Sequence, residues 1–105
     1  MKVYSRLNRP IHVVDYNPGW PVLFEQEHQR ILSALGRRAL AIEHIGSTAV
    51  PGLAAKPVID IAIAIHDLTR APPCIELLEE SGYIYEPTLE AALPARRFLW
   101  KGTSE

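Results

Sequence analysis

The chain has 105 residues, 48% hydrophobic and 22% charged, with a formal net charge of −1. That length suits one domain around one core, and the charge balance gives no global electrostatic case for a nucleic-acid or anionic-membrane partner. The single cysteine, Cys74, excludes an intrachain disulfide framework and a cysteine-rich zinc site, and it suits a reducing cytoplasm.

The opening "MKVYSRLNRP" has no apolar leader, and no apolar run approaches the ~20 residues of a spanning helix. A soluble, cytoplasmic protein is expected, with its oligomeric state open. "IHVVDY" (11–16) reads as a short strand or extended lead-in, stopped by "NPGWP" (17–21). From Pro21 to Leu35 the spacing turns helical. Phe24, Ile31 and Leu35, with Leu32 beside them, share a face, while Glu25, Glu27 and Arg30 are expected to point elsewhere. Gly36 ends that helix.

"ALAIEHI" (39–45) reads as a strand, and "PVIDIAIAI" (57–65) as a stronger one. In the second, Ile59, Ile61, Ile63 and Ile65 alternate with Val58, Asp60, Ala62 and Ala64. The bulky face should pack under helices. The small face, carrying a carboxylate, should stay open to something else. A helix is expected over about 72–81, begun by prolines and stopped by Gly82. Strands follow at 83–87 and 96–102. The order is (β)-α-β-β-α-β-β, a single domain of α+β class: a mixed or antiparallel sheet with helices on one face. The chain closes on a strand, "RFLWKG", with four residues after Lys101 that offer no helix or cap.

The densest chemistry lies in "IEHIGSTAVPGLAAKPVIDI" (42–61). Gly46 would let backbone approach a bulky anion, and the N–H groups and hydroxyls of Ser47 and Thr48 could hydrogen-bond phosphate oxygens. Asp60 could hold a divalent metal bridging those oxygens, and Lys56 could add a positive charge. Each has a plainer alternative. Gly46-Ser47 could be a capped turn, Asp60 could pair with Arg96 or Arg97, and Lys56 could be a solvated loop residue. His44 shares a face with Leu40 and Ile42 and reads as a satisfied, half-buried histidine. Pro51-Gly52 suggests a type II turn, and Trp20 and Trp100 suggest packing. Glu25 and His28 have Glu-x-x-His spacing, but with no second copy or four-helix bundle they read as helix surface.

"YNPGW" before a helix, the "HIGSTAVPGLAAKPVID" string, "SGYIYEP" and "RRFLWKG" together strongly resemble the GrpB-like protein family, over about Val14 to Gly102. The resemblance implies a nucleotidyltransferase-like fold and membership of the polymerase-beta-like superfamily. It also implies a domain that occurs fused to dephospho-CoA kinase. By that resemblance Asp60 and Ser47 are the catalytic candidates, with Asp60 ligating Mg²⁺. Gly46, Ser47, Thr48 and Lys56 are the candidates for binding a nucleotide or other phosphorylated small molecule. The superfamily pairs its strand aspartate with a second acid two residues on; here that position is Ala62. GrpB-like proteins are generally longer and continue into a His-containing strand and helices, so a C-terminally shortened domain is expected. Nucleotidyl transfer to an unknown acceptor and a non-catalytic binding or accessory module are both open, as is an inactive fragment.

Overall fold

The computed structural model describes residues 1–6 and 12–102. A five-stranded mixed sheet carries two helices. The strands are β1 (Lys2–Arg6), β2 (Ala41–Ile45), β3 (Val58–Ala64), β4 (Ile84–Tyr85) and β5 (Phe98–Gly102), in the spatial order β2-β3-β1-β5-β4. All neighbours pair antiparallel except β1 with β5, which are parallel. The helices are α1 (Trp20–Leu35) and α2 (Ala71–Glu80). No helix among the described residues is long and apolar enough to cross a membrane.

Local chemistry explains most of these limits. The Asn17 side-chain oxygen accepts from the Gly19 N–H at 2.7 Å, and the Asn17 carbonyl accepts from Trp20, so "NPGW" turns straight into α1. Pro72 and Pro73 sit in the first turn of α2, where a missing N–H costs little. The strict alternation of β3 is preserved: Ile59, Ile61 and Ile63 are buried, and Val58, Asp60, Ala62 and Ala64 are not. The three isoleucines join Val3 and Leu99 of the sheet, Trp20, Ile31 and Leu35 of α1, and Cys74 and Leu78 of α2 in one core. The opposite face of the sheet carries Asp60.

Two expectations are corrected. The first strand is not 11–16. Ile11 lies outside the described residues, and of the rest only Val14 pairs, in an isolated antiparallel bridge to Ala55. The strand is instead Lys2–Arg6, and it takes the centre of the sheet. Residues 103–105 of the expected tail also lie outside the described residues.

The second correction concerns Glu27, which does not point to solvent. It stands three residues after Phe24 and four before Ile31, on the core-facing stripe, and is buried. Its carboxylate is tolerated there because it is surrounded by donors: Arg30 at 2.5 Å, Lys101 at 3.1 Å and the Tyr83 hydroxyl. Burial, reinforced by the hydrogen bond to Glu27, pushes the Tyr83 hydroxyl far above its ordinary pKa, so it stays a donor. The network ties α1 to β5 and to Tyr83, the residue that leads into β4. Glu27→Ala is expected to cost about 3 kcal/mol, since it leaves the buried Tyr83 hydroxyl and the half-buried Lys101 ammonium without their acceptor. Urea unfolding measures this, and a loss under ~1 kcal/mol would show the network to be ornamental.

Candidate functional site

The loop from β2 to β3 builds a cavity against the open face of the sheet. After Ile45, Gly46 turns the chain at φ 76°, ψ −170°, and residues 47–49 form one 3-10 turn. The N–H of Leu53 then bonds to the carbonyl of Val50 across Pro51-Gly52, with Gly52 at φ 82°, as a type II turn requires. Residues 54–57 run back, bridged to Val14, and enter β3. Ser47, Lys56 and Asp60 thereby line one cavity of about 470 Å³, walled by Val13, Ala55 and Val58.

Gly46 is packed on Asp60 itself. A Cβ built on Gly46 would lie 2.5 Å from the Asp60 Oδ2 and 3.2 Å from its Cβ. The absence of a side chain lets the loop close over the carboxylate. Among the described residues no hydrogen bond or ion pair engages that carboxylate. The expected partners do not pair with it: Arg97 pairs with Glu90 at 3.0 Å, and Arg96 is exposed, lining another cavity with Lys2 and Ala62. Burial pushes the Asp60 carboxyl above its ordinary value, against smaller opposing pulls from Lys2 and His44. An unpaired, partly buried carboxylate beside an open cavity is the most unusual electrostatic feature of this region.

The predicted residues do not all converge. Ser47 is exposed at the cavity and its hydroxyl is available. Thr48 is turned inward by the same 3-10 turn and is 2% exposed. Its hydroxyl donates to the Val58 carbonyl at 2.8 Å, so it accepts from His44 Nε2 at 3.0 Å. Thr48 is therefore a brace between loop and strand, and its hydroxyl is not offered to a ligand. His44 takes the structural role its alternation suggested, stacked on Phe24 at 5.0 Å with burial lowering its pKa. Lys56 is exposed at the rim.

Two residues escaped the sequence reading. In the register of the sheet, Ala62 faces Glu43 on β2 and Lys2 on β1. The position that lacks a carboxylate is thus flanked, on the Asp60 face, by one acid and one base from neighbouring strands. Glu43 is exposed, and a diagonal neighbour in a ladder lies ~7–8 Å away, within reach of a long side chain. The alternation of β2 already placed Glu43 opposite His44 in face. Only the strand register connects it to Ala62. No group of three or more histidine, cysteine, aspartate or glutamate residues capable of holding a metal occurs among the described residues.

Comparison with known proteins gives a consistent picture. The model of the GrpB protein family matches residues 10–105. A UPF0157 protein from Halalkalibacterium halodurans is 47% identical over 76 residues, which cover 72% of this chain and 39% of the relative. A dephospho-CoA kinase from Mycolicibacterium paratuberculosis is 42% identical over 84 residues, covering 77% of this chain and 20% of that enzyme. The crystal structure of conserved protein GrpB from Enterococcus faecalis superposes with a TM-score of 0.70 at 32% identity, over 87% of this chain and 61% of that one. The chain thus spans well under half the length of these sequence relatives.

Proposed function

Because the chain belongs to the GrpB family, we propose that it binds a nucleotide or other phosphorylated small molecule in the cavity shared by Ser47, Lys56 and Asp60. The observation that carries this reading is the Asp60 carboxylate, which no bond among the described residues engages, held against Gly46 at the edge of that cavity. The Ser47 hydroxyl would donate to phosphate oxygens and Lys56 would offset their charge. The homologous domain within dephospho-CoA kinases makes dephospho-CoA one ligand to test.

The donor set fits Mg²⁺ as a shared ion. One carboxylate at Asp60, with Glu43 within reach, supplies hard oxygen donors but too few for a site of protein atoms alone. Mg²⁺ commonly completes its shell with water and substrate phosphates. Metal and ligand should therefore bind together. When so bound, the ion would offset phosphate charge, the chemistry that nucleotidyl transfer needs. Asp60 would hold it, while Gly46 keeps that carboxylate in place. A second reading, binding without catalysis, is favoured by Ala62 and by Lys2, which already supplies a cation near Asp60.

A thermal melt with ATP, GTP, CTP, UTP and dephospho-CoA, each with and without Mg²⁺, tests both. A ligand of the folded state stabilises by about 2.7 kcal/mol at a hundredfold excess over its Kd. A Mg²⁺-dependent rise supports the metal-assisted site. A rise indifferent to Mg²⁺ supports the second reading, and no rise with any ligand removes both.

Asp60→Asn sharpens the test. A carboxyl whose folded pKa is raised holds its proton more tightly folded than unfolded. Its charge therefore burdens the fold increasingly as pH climbs from the ordinary carboxylate value through the raised one, and constantly above it. Asp60→Asn should melt higher than the parent at pH 7 and equal to it near pH 3, while losing every Mg²⁺-dependent shift. A variant less stable at pH 7 would mean the carboxylate has a structural partner.

A further inference from the structure

At the other end of β3 lies a second cavity of about 290 Å³, lined by Arg37, Arg38, His66, Thr69, Arg70 and Pro73. We propose that it is an anion site for the phosphoryl group of a small phosphorylated molecule, separate from the cavity at Asp60. β3 runs four residues past Asp60 before His66 is reached beyond its end, which puts the two more than ~13 Å apart.

Two short turns from distant parts of the chain create it. α1 stops at Gly36, and the 3-10 turn Gly36–Arg38 presents Arg37 and Arg38. Thirty residues later Asp67 caps a second 3-10 turn, Leu68–Arg70, accepting from the Thr69 N–H at 2.9 Å and from the Thr69 hydroxyl. That cap sets the backbone from which Arg70 projects. Arg37, Arg38 and Arg70 thereby meet at one small concavity whose lining contains no carboxylate. Among the described residues none of the three forms a salt bridge. Asp67, beside the cavity in sequence, is engaged by Thr69, although its charge also attracts those of Arg70 and His66.

Like charges crowded into a concavity repel, and a bound anion relieves that repulsion. Guanidinium forks match phosphate oxygens two at a time, which favours phosphate over monovalent halide. α2 begins beside the cavity, but Pro72 and Pro73 lack N–H groups, so the hold would come from side chains. The concave shape and small volume favour a compact phosphoryl group over a polymer backbone, which would need an extended basic stripe.

The test is an amide NMR titration with inorganic phosphate and pyrophosphate, against NaCl at matched ionic strength. The expected result is saturable shifts at Arg37, Arg38, Thr69 and Arg70, tighter for pyrophosphate. Arg37→Ala with Arg70→Ala should weaken binding by about tenfold or more. The Arg37→Lys and Arg70→Lys pair should lose less, because charge remains. These arginines are exposed, so the variants should melt like the parent. Asp60→Asn should bind pyrophosphate at this cavity unchanged, which separates this site from the one proposed above. Shifts that NaCl reproduces would overturn the proposal, as would undiminished binding by the double alanine variant. So would retention on phosphatidylglycerol vesicles or duplex DNA with no response to pyrophosphate.

Discussion

Removing residues 1–6 is expected to abolish cooperative unfolding, leaving a chain with a poorly dispersed amide spectrum and no sharp melt. β1 is the middle strand, and it pairs over five positions with β3 on one side and five with β5 on the other. Without it, β2-β3 and β5-β4 become two separate pairs, each with a newly unpaired edge ~4.8 Å from where β1 lay. The loss includes Val3, which is fully buried and worth about 2 kcal/mol. Both backbone ladders go with it, at about 1 kcal/mol net per bond. Together these approach the whole stability of a domain this size, ~5–15 kcal/mol. The bared edge of β3, with three isoleucines along one face, should also promote association. Val3→Pro should reproduce the effect within the full-length chain, because a proline in a central strand removes a ladder donor. A truncated chain melting within a few degrees of the parent would show β1 to be an accessory strand. The family match begins at residue 10, so the strand on which this sheet depends precedes the matched segment.

That strand was also the least legible element in the sequence. "KVYSR" is five residues long and too short to show a period; Val3 is fully buried, but the ladder that defines the strand depends on partners some sixty and a hundred residues away. "IHVVDY" looked better because it is β-branched, yet Val14 finds just one bridge. By contrast, β3 was readable from its own residues, since alternation of isoleucine with small side chains reports burial directly. Glu27 was misread because helical period and residue type disagreed there. The period was right, and three donors from three parts of the chain were needed to make a carboxylate acceptable in that position. The candidate site shows the same division. Gly46, Ser47, Lys56 and Asp60 could be picked out individually, whereas the inward turn of Thr48 and the placement of Glu43 and Lys2 beside Ala62 depend on a 3-10 turn and a strand register. Neither is written in any one segment.

Gly46→Ala is expected to destabilise the chain by about 4 kcal/mol, more than any other single methyl addition to this loop. Part of the cost is conformational: φ 76° with ψ −170° is a region open essentially to glycine alone, worth about 1–3 kcal/mol to force. The rest is steric, and overpacking typically adds about 1–3 kcal/mol. Rotating the Asp60 side chain could relieve the 2.5 Å contact with Oδ2, but not the 3.2 Å contact with Cβ, which β3 holds in place. A double-mutant cycle with Asp60→Ala separates the two. The pair should show a favourable coupling of about 1 kcal/mol, because the second change removes the carboxylate overlap and leaves the backbone strain. Urea unfolding of the four chains measures it. Zero coupling would mean that loop and carboxylate do not touch in solution, and the proposed ligand site would lose the contact that organises it. If the coupling is present, Gly46→Ala should also lose the Mg²⁺-dependent ligand shift expected of the proposed site, at temperatures where the variant is still folded, since the loop can then close only by displacing the carboxylate proposed to hold the ion.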